Sequence, residues 1–145
     1  MQSCCPYLFF DGQAEQAMRE YQRLLGGELK VLHYADAPAG AAAPPPGCEP
    51  SDQRRVMHAM LVFEGGMLMA SDAPNSAMAQ PMSGMSVSVT LADAALARRV
   101  FEGLSAQAEI RMPFSKTFWA EGFGMLVDRF GTPWMIGGGL QHVGA

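Results

Sequence analysis

The chain has 145 residues, of which 49% are hydrophobic and only 17% are charged. This length and apolar content predict a single folded domain over residues 1–145 and exclude an intrinsically disordered protein. Lys and Arg number 10 against 14 Asp and Glu, a formal net charge of −4, which argues against nucleic acid as a partner. A surface with so few charges has apolar area to bury, and this favours self-association as a homodimer.

The cysteines and the N-terminal segment indicate the cell compartment. Cys4, Cys5 and Cys48 are an odd number and show no CxxC or Cys/His ligand spacing, so no disulfide framework is predicted. The apolar run that ends at Asp11 is too short for a signal peptide or a membrane span. We therefore expect a cytoplasmic protein that has no membrane partner.

The first half of the chain begins with a strand pattern and a helix pattern. An apolar run over residues 5–10 predicts a strand, and Asp11 is placed to cap the helix that follows. The apolar residues of this helix recur at helical spacing: Ala14, Ala17, Met18, Tyr21, Leu24 and Leu25. Gly26 and Gly27 end the helix. Three more strands are predicted, at residues 29–34, 56–63 and 67–71, and the last two are joined by a turn at residues 64–66.

Two segments lack any periodicity. Residues 36–53 are rich in Ala, Pro and Gly and predict a long mobile loop, and residues 73–84 predict a second loop. These loops delimit a first module of about residues 1–72 and a second module of about residues 85–138.

The second half repeats the order of the first. Residues 86–91 alternate between polar and apolar side chains, which predicts a half-buried strand. Asp93 is placed to cap a second helix, whose apolar stripe is Leu96, Ala97, Val100, Phe101 and Leu104. The remaining strands are predicted at residues 108–118, 123–127 and 134–137. Glu121 and Gly122 are predicted to form the turn between the first two of these strands.

Both halves have the order βαβββ, and this internal repeat predicts the architecture. A module that cannot bury its sheet face alone pairs with its copy. The sequence therefore predicts an α+β fold in which two βαβββ modules form a curved mixed sheet around a cavity.

Five segments and one tyrosine resemble one family: residues 6–12, Tyr21, residues 25–28, 58–59, 67–72 and 112–136. They are similar to the PhnB-like branch of the vicinal oxygen chelate superfamily, which includes glyoxalase I, bleomycin-resistance proteins and extradiol dioxygenases. The resemblance implies the glyoxalase/bleomycin resistance/dioxygenase fold over nearly the whole chain. This branch is often described as 3-demethylubiquinone-9 3-methyltransferase. A nucleotide-type methyl donor usually needs a Gly-rich turn between a strand and a helix. Only six residues follow the glycines at 137–139, so the sequence does not support a methyltransferase activity.

The resemblance also implies four ligand positions for a divalent metal. They fall on Pro6 in the first strand, on Met69 or Ser71 in the fourth, on Ser86 in the fifth and on Met135 in the last. None of these side chains is an imidazole or a carboxylate, the groups that hold such metals in the superfamily. We therefore expect no cofactor, and a divalent metal is disfavoured.

If Pro6 and Ser86 face the cavity, strand alternation gives the neighbours that share it. The predicted ligand pocket then comprises Pro6, Leu8, Phe10, Met69, Ser71, Ser86, Ser88, Trp119 and Met135. Apolar walls with a few polar groups are typical of small-molecule pockets. Ser86, Ser88 and Thr90 equally fit the solvated face of a strand, and Trp119 equally fits ordinary hydrophobic packing.

Two titratable residues carry open alternatives. His58 lies in an apolar strand, so it is either a catalytic general base or a core histidine that is bonded to a neighbour. Asp72 ends the neighbouring strand and either orients a histidine or caps a turn.

Together these patterns predict a small-molecule-binding protein of the glyoxalase-like fold, with an unknown ligand. Two alternatives stay open. One is a glyoxalase-type metal-dependent lyase or isomerase in which His58 is the base and a metal, or the hydroxyls of Ser86 and Ser88, stabilise an enolate. The other is a resistance protein that sequesters a cationic drug in an acidic dimer groove.

Overall fold

The computed structural model describes residues 2–141. They separate between Pro81 and Met82 into two compact units. Unit one contains β1 (Tyr7–Phe10), α1 (Ala14–Leu25), β2 (Glu28–His33), β3 (Val56–Phe63) and β4 (Gly66–Asp72). Unit two contains β5 (Val87–Leu91), α2 (Ala94–Leu104), β6 (Glu109–Ser115), β7 (Ala120–Val127) and β8 (Pro133–Leu140).

Each unit forms one mixed four-stranded sheet. Sheet one has the strand order β1-β4-β3-β2 and sheet two has the order β5-β8-β7-β6. In both sheets the first strand of the unit runs parallel to the last, and the other pairs are antiparallel. The identical topology confirms the βαβββ repeat and the α+β class that the sequence predicts.

One face of each sheet packs against the helix of its own unit, and we call the opposite face the open face. In sheet one, Leu8 pairs with Ala70 and Ala70 pairs with Ala59, so these side chains point to the same side. They are at most 1% exposed and lie on the helix-covered face, where α1 buries the apolar residues Ala14, Ala17, Met18 and Tyr21. This apolar contact stabilises unit one.

The cap of α1 differs from the sequence-based prediction. Position Gln13 precedes the helix and makes no side-chain capping bond. Asp11 instead forms an ion pair with Arg55 at 2.8 Å. Asp72, only 3% exposed, accepts hydrogen bonds from the backbone N–H groups of Ala14 and Val56, both at 2.9 Å. A carboxylate distant in sequence therefore caps α1, a role that neither alternative for Asp72, orienting a histidine or capping a turn, had predicted.

In unit two the predicted cap is confirmed. The carboxylate of Asp93 accepts a hydrogen bond from Leu96 N at 2.9 Å. The buried stripe of α2 is Ala97, Val100, Phe101 and Leu104. Leu96, which the sequence placed on this stripe, is 38% exposed, because it lies one residue, or about 100° around the helix, from Ala97.

The predicted turn at Glu121 and Gly122 is wrong. Both residues lie within β7, and the chain turns earlier, where Thr117 N donates to Ala120 O at 3.0 Å. A Cβ at Gly122 would lie 2.4 Å from the ring of Phe114. This glycine is therefore needed for close packing against Phe114. In the sequence, such a glycine looks the same as a glycine in a turn.

The first unit is longer because of its connection from β2 to β3, residues 34–55, which corresponds to residues 116–119 in unit two. Parts of this connection are hydrogen-bonded. Ser51 N donates to Pro74 O at 2.9 Å, and Asn75 Nδ2 donates to the carbonyls of Gly47 and Glu49. Its mobility stays a prediction.

Within residues 2–141, no helix combines the length and apolar character that a membrane crossing requires. The homodimer and the cytoplasmic location stay predictions.

Candidate functional site

The open face of sheet one brings a tyrosine and a histidine together. Tyr7 in β1 and His58 in β3 lie on either side of β4, and Tyr7 Oη lies 3.1 Å from His58 Nδ1. Their ring centroids are 5.8 Å apart. His58 is half-buried and Tyr7 is 39% exposed. His58 is therefore bonded to a neighbour, as one alternative predicted, but at an accessible surface and not in the core.

Apolar side chains surround this Tyr7/His58 pair. The strand register aligns Lys30, Met60, Met69 and Tyr7 in one row across the sheet. The ring of Phe9 lies 5.0 Å from that of Tyr7, and Phe9 pairs with Ser71 in β4. Phe9 is 58% exposed although it is a large hydrophobic residue. The face thus combines an accessible aromatic and thioether surface with the polar Tyr7/His58 pair, and the exposed Lys30 ends the row at β2.

The structure corrects the predicted pocket in β1. Leu8 and Phe10 lie on the helix-covered face and are 1% and 5% exposed. Pro6, which precedes β1, is in phase with them, so the residues on the open face are Tyr7 and Phe9. A shift of one residue moves every side chain of a strand to the other face. The sequence of β1, YLFF, has no polar residue that marks the open face, so its phase is fixed only by packing against α1.

Met69 and Ser71, the other predicted pocket residues of unit one, do share the open face with His58. Met69 pairs with Tyr7 in β1 and with Met60 in β3. Ser71 is 7% exposed. These two predicted residues and His58 are therefore brought together.

In unit two the open face carries Ser88 and Met135, which pair in adjacent strands. Val87 and Val89 are buried on the helix-covered face, and Ser86 precedes β5 on the side of Ser88. This confirms the alternation predicted for residues 86–91. Ser88 and Thr90 are exposed, as the solvated-face alternative also requires.

Trp119, the remaining predicted pocket residue, lies in the connection between β6 and β7. Its ring packs edge-on against Phe123 at 5.4 Å and against Phe118 at 4.8 Å. Phe118 is 75% exposed. Trp119 therefore belongs to an aromatic cluster at one end of sheet two.

A second histidine forms an ion pair on the helix side of sheet one. His33 Nε2 lies 2.5 Å from Glu15 Oε1 in α1, and His33 Nδ1 lies 3.3 Å from Asp36 Oδ2. The hydrogen bond to Glu15 is the main cause that raises the pKa of His33 above 6.5, and Asp36 adds to it against partial desolvation. The same bond, with a second from Arg19, lowers the pKa of Glu15 below 4.5.

This ion pair makes stability depend on pH. The contribution of His33 is complete below pH 6.5 and is lost as the pH rises through its raised folded-state pKa. The contribution of Glu15 is complete above pH 4.5 and is lost as the pH falls through its lowered pKa. Because both side chains are partly exposed, we expect His33→Gln to lower the free energy of unfolding by at most about 1 kcal/mol at about pH 5.5 and by less at alkaline pH.

Urea denaturation of the wild type and of His33→Gln, at about pH 5.5 and at alkaline pH, measures the difference in the free energy of unfolding. In the background Glu15→Gln the effect of His33→Gln is expected to lose most of this pH dependence. An equal loss of stability at all pH values would contradict the ion-pair origin.

The donor set of the open faces does not fit the divalent metal that the resemblance implies. In sheet one, the open face of β1 and β4 carries the phenol of Tyr7 and the thioether of Met69. In sheet two, the open face of β5 and β8 carries the hydroxyl of Ser88 and the thioether of Met135. Divalent metals of this kind are held by imidazole and carboxylate groups. In the part of the chain that the structure describes, no three His, Cys, Asp or Glu side chains are grouped for a metal.

Comparison with known proteins identifies the family. The family model described as 3-demethylubiquinone-9 3-methyltransferase matches residues 2–137. The chain belongs to this family. Protein YjdN of Escherichia coli (strain K12) is 36% identical over 135 residues, which are 90% of this chain and 91% of that protein. These matches confirm the PhnB-like resemblance found in the sequence.

Solved structures confirm the fold. Protein PA1353 from Pseudomonas aeruginosa is similar with a TM-score of 0.82 and 35% identity, over 97% of this chain and all of that chain. A glyoxylase/bleomycin resistance protein/dioxygenase domain from Frankia sp. EAN1pec is similar with a TM-score of 0.63 and 13% identity. That match covers 100% of this chain and 95% of the Frankia chain. The chain thus has the glyoxalase-like fold that the resemblance implies.

The glycine run that bears on the family's description lies inside a strand. Gly137 and Gly138 are buried within β8, and a Cβ at Gly138 would lie 2.3 Å from Asp93 O. Gly138 allows the N-terminus of α2 to approach the sheet. The two glycines do not form the strand-to-helix turn that a nucleotide-type methyl donor usually needs.

Proposed function

We propose that the protein binds a small, partly apolar molecule on the open face of sheet one, with the Tyr7/His58 pair as the polar anchor. The observation that carries this proposal is the 3.1 Å contact between Tyr7 Oη and His58 Nδ1 on an accessible face. Polar groups on an otherwise apolar surface fix the orientation of a ligand.

The surroundings of the pair indicate the chemical class of the ligand. The rings of Tyr7 and Phe9 offer a continuous aromatic surface, and Met60 and Met69 offer flexible thioethers that adapt to irregular shapes. With Nδ1 bonded to Tyr7, the Nε2 atom of His58 is the ring nitrogen that reaches a ligand. The ligand therefore combines an apolar, preferably flat, part with one carbonyl or hydroxyl group.

A thermal melting screen with small aromatic and aliphatic carbonyl compounds tests this proposal. A compound that binds is expected to raise the melting temperature of the wild type by mass action. His58→Gln and Tyr7→Phe are each expected to weaken binding about five-fold, the value of one hydrogen bond of about 1 kcal/mol.

The matched control is His33→Gln, because His33 is a histidine of the same sheet that contacts α1 on the other side. It is expected to leave the ligand-induced shift unchanged. If the shift survives both His58→Gln and Tyr7→Phe, the pair is not the anchor. Sequestration of a cationic drug stays a prediction that cationic compounds in the same screen test.

The Tyr7/His58 pair also favours a second candidate function, proton transfer in a lyase or isomerase reaction of the glyoxalase type. An imidazole is suited to act as a general base near neutral pH, and a tyrosine bonded to Nδ1 fixes the orientation of the ring. This candidate predicts exchange of the proton next to the carbonyl of a bound compound in D2O. Nuclear magnetic resonance detects that exchange, and His58→Gln is expected to abolish it. Saturable binding without exchange supports the binding function alone.

A further inference from the structure

Three methionines lie side by side on the open face of sheet two. Met112 in β6 pairs with Met125 in β7, Met125 pairs with Met135 in β8, and Met135 pairs with Ser88 in β5. All three methionines are half-buried. Directly paired residues on one face have Cβ atoms about 4.5–5.5 Å apart. The three flexible thioethers can therefore reach one common point.

Irregular pairing in β6 is what brings Met112 to this face. Ile110 pairs with Leu126, which is 1% exposed on the helix-covered face. From Ile110 to Met112 the strand advances two residues, while its partner advances only one, from Leu126 to Met125. Regular pairing would place Met112 opposite Gly124 on the helix-covered face. β-Bulges often redirect a side chain next to a functional site.

A second bulge confines this change to Met112. Between Met112 and Ser115 the strand again gains one residue over its partner. Phe114 consequently contacts Phe101 of α2, with ring centroids 5.5 Å apart. Met112 thus lies on the face opposite to Ile110 and Phe114, so packing against α2 does not account for its orientation.

The chemistry of the row points to a soft cation. Thioether sulfur is a neutral, polarizable donor, and soft donors of this kind select Cu(I) over hard or borderline cations. The corresponding row of sheet one has only two methionines, Met60 and Met69, with Lys30 in the place of Met112. The ammonium group of a lysine repels a cation, so the two rows are chemically different.

We propose that Met112, Met125 and Met135 form a binding site for a soft monovalent cation, Cu(I) or its analogue Ag(I). The hydroxyl of Ser88 ends the row and adds one weaker oxygen donor. The site lies in unit two and uses none of the residues of the Tyr7/His58 pair. Absence of cation binding at this site and absence of small-molecule binding at the Tyr7/His58 pair are therefore observed in separate experiments.

Titration with silver nitrate in chloride-free buffer tests this site, with the ε-methyl signals of ¹³C-labelled methionine as the readout. Because thiols also bind soft metals, the titration uses the full chain with Cys4→Ser, Cys5→Ser and Cys48→Ser. The chain has 12 methionines. We expect one equivalent of Ag(I) to shift mainly the three signals that disappear in Met112→Leu, Met125→Leu and Met135→Leu.

Each of these substitutions is expected to lower the affinity for Ag(I) about ten-fold or more, and Leu keeps the volume of the side chain. Met67→Leu, a half-buried methionine of sheet one, is the matched control and is expected to leave the affinity unchanged. Competition for Cu(I) against a chelator under ascorbate is expected to give the same order of variants. Binding that does not saturate near one equivalent, or that survives the three substitutions, overturns the proposal.

Discussion

Replacement of Asp72 by alanine is expected to lower the free energy of unfolding by about 4 kcal/mol, because a hydrogen bond to a charged group contributes about 1.5–3 kcal/mol. The carboxylate is buried in β4 and accepts hydrogen bonds from Ala14 N in α1 and Val56 N in β3. Its removal leaves two backbone donors without their partner and loosens three elements at once.

Urea denaturation of Asp72→Ala, Asp72→Asn and Asp93→Ala measures this effect. Asp93 is an exposed cap of α2, so Asp93→Ala is the matched control and is expected to cost about 1 kcal/mol. Asp72→Asn retains one oxygen acceptor but turns an NH2 group toward a backbone donor, and an intermediate loss is expected. If Asp72→Ala is no more harmful than Asp93→Ala, the long-range cap does not hold α1 in place.

Replacement of Gly138 by alanine is expected to lower the free energy of unfolding by about 3 kcal/mol, the upper end of the usual cost of overpacking. A Cβ at this position would lie 2.3 Å from the backbone oxygen of Asp93 and 2.9 Å from the Cβ of Ala97. Backbone atoms cannot rotate away as a side chain does, so α2 itself has to move from the sheet.

Gly137→Ala in the same strand is the control for this substitution. A Cβ at Gly137 would lie 3.3 Å from the ring of Phe123, on the open face, and at an ordinary contact distance of 3.7 Å from Gly122 O. We therefore expect a change within about 1 kcal/mol, since a side chain adjusts more easily than a helix. Thermal melting and urea denaturation of both variants compare the two positions. Equal effects would show that the approach of α2 to β8 does not set the stability of unit two.

The Tyr7/His58 pair shows how far sequence analysis reached at the candidate site. His58 was found because it is a titratable side chain in the apolar strand β3. Tyr7 was missed because its strand, residues 7–10, has apolar or aromatic residues at every position. With large apolar side chains on both faces, the sequence does not show which phase faces α1. The consequence was the assignment of Leu8 and Phe10 to the pocket.

Local periodicity determined the secondary structure elements. The helical spacing of the apolar residues predicted both helices, and β3 was predicted with its observed bounds, Val56–Phe63. Asp93 was identified as a cap because it directly precedes the helix that it caps. The repeated order of elements and the family resemblance then determined the fold, because both depend only on residue order.

Tertiary structure alone decided the features that depend on distant residues. The cap of α1 comes from Asp72, which lies 58 positions after Ala14, and the local candidate Asp11 pairs with Arg55 instead. Gly122 is a close-packing residue, although a glycine in the sequence signals a turn equally well. Met112 reaches the open face only through the bulges of β6. In each case the outcome depends on which surfaces pack together, and a local sequence pattern does not contain that information.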